Sequence, residues 1–164
     1  MCKEDAERYG KYRPIYLNHI LYNHPLGMNL YNLNNSKENI YGLEKAILFE
    51  SEKSCLLYQS LFGFTSDISV ACCGSSLSTA QIQMLKEVGA KEIIVAFDRQ
   101  FQEKGDSEFK RLTTKLINID KKYGKEITIS FIFDKNMITS YKASPIDEGK
   151  EKFLKLFKER IFLK

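Results

Sequence analysis

Ala46-Ile47-Leu48-Phe49-Glu50 and Ile93-Ile94-Val95-Ala96-Phe97-Asp98 are two short apolar runs, and each stops at an acid. Runs of this length, rich in β-branched and aromatic residues and bounded by polar residues, read as buried strands. Between and after them lie segments with helical periodicity. Ser54–Phe62 places Cys55, Tyr58, Leu61 and Phe62 on one face, and 106–123 places Phe109, Leu112, Leu116, Ile119 and Tyr123 in one stripe. Ile68–Cys72 and Ile127–Phe133 supply two further strands. Ser78 followed by Gln81 is a capping box that opens a helix ending at Gly89. A closing amphipathic helix is expected over Asp147–Ile161. Strands alternating with helices imply parallel crossovers, which are right-handed in nearly all proteins. The predicted fold is therefore α/β: a doubly wound, mainly parallel four-stranded sheet flanked by helices.

The two acids matter because parallel strands end on one edge. Glu50 and Asp98 would both stand at the carboxyl ends of their strands, where open α/β sheets hold ligands. Two converging carboxylates make a hard-oxygen pocket suited to Mg²⁺. Either acid alone would serve equally well as a helix N-terminal acid complementing the dipole. Asp134 follows the fourth strand on the same edge. Asp147 would open the last helix, where N-capping with Glu148 is the simpler role. Gly74, in Cys73-Gly74-Ser75-Ser76, would let backbone amides approach an anion at the next helix; an ordinary tight turn accounts for it as well. Lys53, Arg99 and Lys142 lie near enough in sequence to that edge to meet phosphate, although any one of them could be a solvated cation.

Upstream, residues 14–35 are rich in Tyr, Asn, Leu and His and read as short irregular strands broken by turns. A short helix over 36–44 is expected, with Ser36 as its N-cap. The charged residues 1–13 read as a frayed or truncated entry. The domain division is thus an extension, 1–44, and a main domain, 45–164.

Composition narrows the classes. The 164 residues are 43% hydrophobic, enough for a core, and the net charge is +4 at pH 7. That charge is unevenly spread: +1 over residues 1–45, −2 over 46–100 and +5 over 101–164. An acidic centre beside a basic last third suits a metal site next to a polyanion, and equally a soluble protein with Lys-rich helices. Cys2, Cys55, Cys72 and Cys73 form no C-x-x-C pair, which argues against a zinc ribbon or redox motif. His19 and His24 have no third ligand nearby in sequence. No Gly-Lys-Ser/Thr phosphate loop or G-x-G-x-x-G fingerprint is present, and Ser75 and Ser76 lack a base for hydrolase chemistry. No apolar run approaches the ~20 residues of a membrane span. A charged N-terminus and unpaired cysteines make the cytoplasm the expected location.

Taken together, these motifs resemble a known family. Phe49-Glu50-Ser51-Glu52-Lys53-Ser54 resembles the first acidic motif of the Toprim domain. Cys73-Gly74-Ser75-Ser76-Leu77-Ser78 resembles its Gly-Thr-Ala-Leu-Thr turn, and Ala96-Phe97-Asp98-Arg99-Gln100 its Asp-x-Asp motif. Lys142-Ala143-Ser144-Pro145-Ile146-Asp147-Glu148 is similar to a Lys-Asp-Pro-Asp-Glu stretch of bacterial replicative primases. Tyr22-Asn23-His24-Pro25 and Leu30-Tyr31-Asn32-Leu33 are similar to elements that precede Toprim in those primases, so that 1–44 resembles the end of their basic subdomain. The likeness covers roughly residues 14–160 and has the flavour of phage and mobile-element proteins.

The resemblance implies Mg²⁺- or Mn²⁺-dependent synthesis of RNA primers on single-stranded DNA. Glu50 and Asp98 would be the catalytic and metal-site acids, with Gln100 as a further ligand and Asp134 and Asp147 as outlying ones. Lys53, Gly74, Ser75, Arg99 and Lys142 would contact phosphate or nucleic acid. Nucleotides and single-stranded DNA would be the partners, with a replicative helicase or another primase polypeptide beside them. Two departures stand out: Gln100 replaces the second Asp of Asp-x-Asp, and Ser51 replaces a Gly. The zinc-binding and helicase-contacting parts of a full primase are not recognisable, so a truncated form is expected. A catalytically weakened module that binds DNA or a replication partner is one alternative; nuclease- or topoisomerase-like phosphodiester chemistry is another.

Overall fold

The computed structural model describes residues 15–22, 25–74 and 76–163. The charged 1–13 segment, Cys2, His24 and Ser75 lie outside them. Four strands form one parallel sheet: β3 (Lys45–Phe49), β4 (Ser69–Ala71), β5 (Glu92–Ala96) and β6 (Thr128–Phe131), in the order β4-β3-β5-β6. β1 (Ile15–Leu17) and β2 (Ile20–Tyr22) form a separate antiparallel hairpin. The expected irregular strands are thus one tight hairpin. Asn18 and His19 both have positive φ, the conformation that a two-residue turn needs to match strand twist.

The helices are α1 (Leu33–Leu43), α2 (Glu52–Phe62), α3 (Thr79–Glu87), α4 (Ser107–Tyr123) and α5 (Lys150–Lys158). β3 and β5 are central and covered on both faces, which is why they read as continuous apolar runs. Ile47, Leu48, Phe49, Ile93 and Ile94 are fully buried. From β3 the chain crosses outward through α2 to β4. It then returns through α3 to β5 on the other side of β3 and continues through α4 to β6. Right-handed crossovers running in opposite directions put α2 on one face and α3 with α4 on the other. On the first face Phe153 of α5 packs against Phe49, Tyr58 and Phe62 with ring centroids 5.6–6.2 Å apart. On the second, the Tyr123 hydroxyl at the end of α4 meets Thr79 at the start of α3.

Both sheet edges are closed by single antiparallel bridges, Tyr31 to Ala71 on β4 and Ile161 to Phe131 on β6. These occupy backbone groups that would otherwise invite another strand. The capping box forms as expected, with Ser78 and Gln81 satisfying each other's amides. Gln81 also donates to the carbonyls of Leu26 and Asn29, tying the segment before α1 to α3. Gly89 stops this helix at φ +100°, and a Cβ there would stand 2.9 Å from the Tyr41 ring.

Two helices start three residues away from expectation. α1 starts at Leu33, not 36, because Asn32 is anchored: its amide donates to Asp67 Oδ2 and the Ser69 carbonyl. Ser36 is buried inside the helix, its hydroxyl donating to the Asn32 carbonyl rather than capping. The last helix starts at Lys150, after Gly149 at φ +95°. Asp147 and Glu148 therefore lie in the preceding turns and are not its N-caps.

Candidate functional site

The strand order reverses between β3 and β5, so the crevice beyond their carboxyl ends is the topological switch point of the sheet. The register pairs Phe49 with Ala96. Glu50 therefore leaves β3 opposite Phe97, and Asp98 follows one residue later. The structure brings the two acids together: the Asp98 backbone N–H faces the Glu50 carboxylate, and the Glu50 charge acts on Asp98.

The loop from 132 to 149 folds over the same edge. Arg99 donates its N–H to the Ala143 carbonyl and accepts from Lys142 N–H. This two-bond latch carries Asp147 in beside the pair. Asp147 Oδ2 accepts from the Ser144 amide, and its Oδ1 lies 2.9 Å from Lys53 Nζ. Glu50 Oε1, Asp98 Oδ1 and Asp147 Oδ1 are all buried; Lys115 and Lys53 ion-pair with the first and the last, and Asp98 Oδ1 alone of the three has no partner among the described residues. Buried carboxylates gathered at one place repel one another, and a cation there offsets that cost.

The electrostatics follow. Burial pushes the Asp98 carboxyl up to about 7, the charges of Glu50 and Asp147 push the same way, and Lys53 and Lys115 offset only part of it. Burial also raises Glu50, with the Lys115 ammonium and the Asp98 N–H pulling back. Lys115 projects from α4, with Nζ 3.6 Å from Glu50 Oε1 and 4.0 Å above the Phe97 ring. It was not among the residues singled out from sequence. The one available signal was a lysine three residues after Leu112 and four before Ile119, along the edge of the apolar stripe.

Other expected residues divide sharply. Gln100 and Lys142 line a cleft of about 310 Å³ with Asp98, Glu108 and Tyr141. Arg99 does not face this cleft. It is buried, with Nη1 donating to the Phe101 carbonyl at 2.6 Å and Nε 3.9 Å from Asp134 Oδ2. Asp134 is equally committed, accepting from the amides of Ile138 and Thr139 and from the Thr139 hydroxyl, each at 2.8 Å. Both belong to the scaffold of the covering loop. Gly74 donates its N–H to the Glu50 carbonyl. That amide is therefore not open to an anion, and a Cβ at Gly74 would meet nothing within 4 Å. Its observed part is to hold the strand end that carries Glu50.

A divalent ion is implied by this acid set. Three buried carboxylates are the hard oxygen donors that suit Mg²⁺ or Mn²⁺ chemically. Among the described residues, no group of three acids, histidines or cysteines is close enough to enclose a single ion as it stands. Lys53 and Lys115 balance the acids in this conformation.

No family model matches the chain. It is 32% identical over 168 residues to the SPbeta prophage-derived protein YorJ of Bacillus subtilis strain 168, covering 98% of this chain and 44% of that one. Among solved structures, it is similar to a DNA primase domain from Pseudomonas aeruginosa, with a TM-score of 0.62, 18% identity, and coverage of 92% of this chain and 44% of that one. It is similar to the DnaG primase catalytic domain bound to ssDNA, with a TM-score of 0.61, 17% identity, and coverage of 87% and 44%. It is also similar to the Aquifex aeolicus primase zinc-binding and RNA polymerase domains, with a TM-score of 0.58, 22% identity, and coverage of 88% and 34%. The chain thus has the mixed α/β fold of these primase catalytic domains, and it spans less than half the length of each protein compared.

Proposed function

We propose that this chain is a Toprim-type, primase-like module that joins nucleotides on a single-stranded DNA template with Mg²⁺ or Mn²⁺. The observation that carries the reading is the convergence of Glu50, Asp98 and Asp147 at the switch point, each with a buried carboxylate oxygen. The DNA-bound state of a similar primase domain supports a nucleic-acid partner. In this reading residues 45–164 form the Toprim unit, with 1–44 as its extension. The chain works in the cytoplasm, with a replicative helicase or a second primase polypeptide supplying the rest of the machinery.

Glu50 and Asp98 would hold the cation, with Asp147 beside them. When bound, it would supply the charge stabilisation that phosphoryl transfer needs. The chain's own residues bind, orient and neutralise. Asp98 would be ionised in the loaded site. Lys115 and Lys53 stand beside Glu50 and Asp147, within reach of phosphate oxygens at the same edge. Lys142, exposed at the cleft mouth, meets the incoming strand, and Gln100 offers a neutral amide where a second acid would bind metal more tightly.

Strand-extension assays on a single-stranded template with ribonucleotides test this. Primer synthesis that needs Mg²⁺ or Mn²⁺ and is lost in Asp98→Ala supports it, whereas strand cleavage without synthesis would replace it with nuclease chemistry. A second reading is favoured by Gln100 and by the two lysines that already balance the acids: a catalytically weakened module that binds DNA or a replication partner. Binding without turnover under all metal conditions would select that reading.

A further inference from the structure

A groove of about 690 Å³, larger than the acid cleft of about 310 Å³, runs alongside α4. Arg111, Lys115, Asn118 and Lys122 of that helix line it in a row, with Thr114 of the same helix also in the lining. Spaced four, three and four apart, the residues of the row share one helix face. At 1.5 Å per residue the row extends ~16 Å, room for up to about five backbone phosphates at the 3.4 Å spacing of a stacked strand. The described lining contains no acid, and Leu77, Leu112 and Ile119 give it an apolar floor. Two residues join it to the acid cluster: Lys115 reaches Glu50, and Gln100 lines both the groove and the Asp98 cleft.

We infer that this α4 groove binds the phosphate backbone of a single-stranded polynucleotide and leads it to the Glu50–Asp98 edge. A cationic rim over an apolar floor is the arrangement that tracks a strand without reading its sequence, since phosphates meet the rim and bases or sugars lie on the floor. Lysines exposed elsewhere on the same helix, Lys110 and Lys121, are outside the lining of this groove and provide an internal comparison of equal charge. The inference takes its polynucleotide from the proposed function, but its test is independent of catalysis.

The test is fluorescence anisotropy of a labelled oligothymidylate in EDTA, with inorganic triphosphate as competitor. Arg111→Ala with Lys122→Ala is expected to weaken binding about tenfold or more and to lower the slope of log affinity against log salt by about 1.4, the value for two lost single-strand phosphate contacts. Lys110→Ala with Lys121→Ala is expected to change affinity by less than about twofold and to lower the slope by well under one contact. Circular dichroism establishes that both variants fold. Equal losses in the two variants, or no measurable binding by the unmodified chain, would overturn the inference. So would triphosphate displacing the strand at stoichiometric concentration, which would assign the groove to a nucleotide's phosphates instead. Because metal is absent, failure of strand synthesis by the unmodified chain would count against the proposed activity and leave this result standing.

Discussion

Lys115 reaches Glu50 from α4, with Nζ 3.6 Å from Oε1 and 4.0 Å from the centroid of the Phe97 ring. An ammonium thus stands against the acid that a divalent ion would need. The ring face attracts the ammonium, and the carboxylate lies among buried atoms where a lone charge is costly. Lys53 does the same for Asp147. The acid cluster is therefore stable as an ion-paired group, and cation binding is an exchange in which lysines give way.

Lys115→Met should sharpen that exchange. Losing the competing ammonium is expected to raise Mg²⁺ affinity about three- to tenfold by calorimetry. Stability without metal should fall by ~1–2 kcal/mol in urea unfolding, because Glu50 is left buried and unpaired. Unchanged or weaker Mg²⁺ affinity would mean that Lys115 helps to hold the site rather than competing for it.

Asp98 makes stability depend on pH in a defined direction. Its carboxyl is raised from 3.8 to about 7, so between those values the folded chain binds more protons than the unfolded one. Stability must then fall as pH rises through that window and level off above it. Asp98→Asn removes this component. The variant should exceed the unmodified chain by ~2–4 kcal/mol near pH 8, with the difference shrinking toward zero near pH 4. Urea melts across that range measure it, and a variant less stable near pH 8 would show that Asp98 is not held protonated.

Gln100→Asp should tighten Mg²⁺ binding about tenfold by adding a charge beside Asp98 in the same cleft. No gain in a calorimetric titration would mean that residue 100 serves the α4 groove alone.

Asp134→Ala should behave as a scaffold change. It deletes three hydrogen bonds and leaves the buried Arg99 guanidinium without its acid. The expected cost is ~3–5 kcal/mol of unfolding free energy. A cost under about 1 kcal/mol, with loss of strand binding, would return this pair to phosphate recognition.

The sheet was legible because its central strands are buried on both faces and read as unbroken apolar runs ending at acids. The switch point followed from the order of elements. Helix ends were less legible, because tertiary anchors moved them: Asn32 bound to Asp67 and Ser69 starts α1 early, and Gly149 delays α5. The division between site and scaffold was hidden for a different reason. Asp98 and Arg99 are neighbours in sequence, yet one side chain faces the cleft and the other is buried under the covering loop. Lys115 lies far along the chain from Glu50 and meets it only because α4 packs beside the β3 end. Spacing along the chain carries none of that information.

The most direct test of the central claim is a calorimetric Mn²⁺ titration of four chains: unmodified, Glu50→Gln, Asp98→Asn and the double variant. If the two acids grip one ion together, each single variant should lose about tenfold or more in affinity. The double variant should then lose little beyond the worse of the two, as coupled ligands do. Affinity unchanged in either single variant would contradict the account.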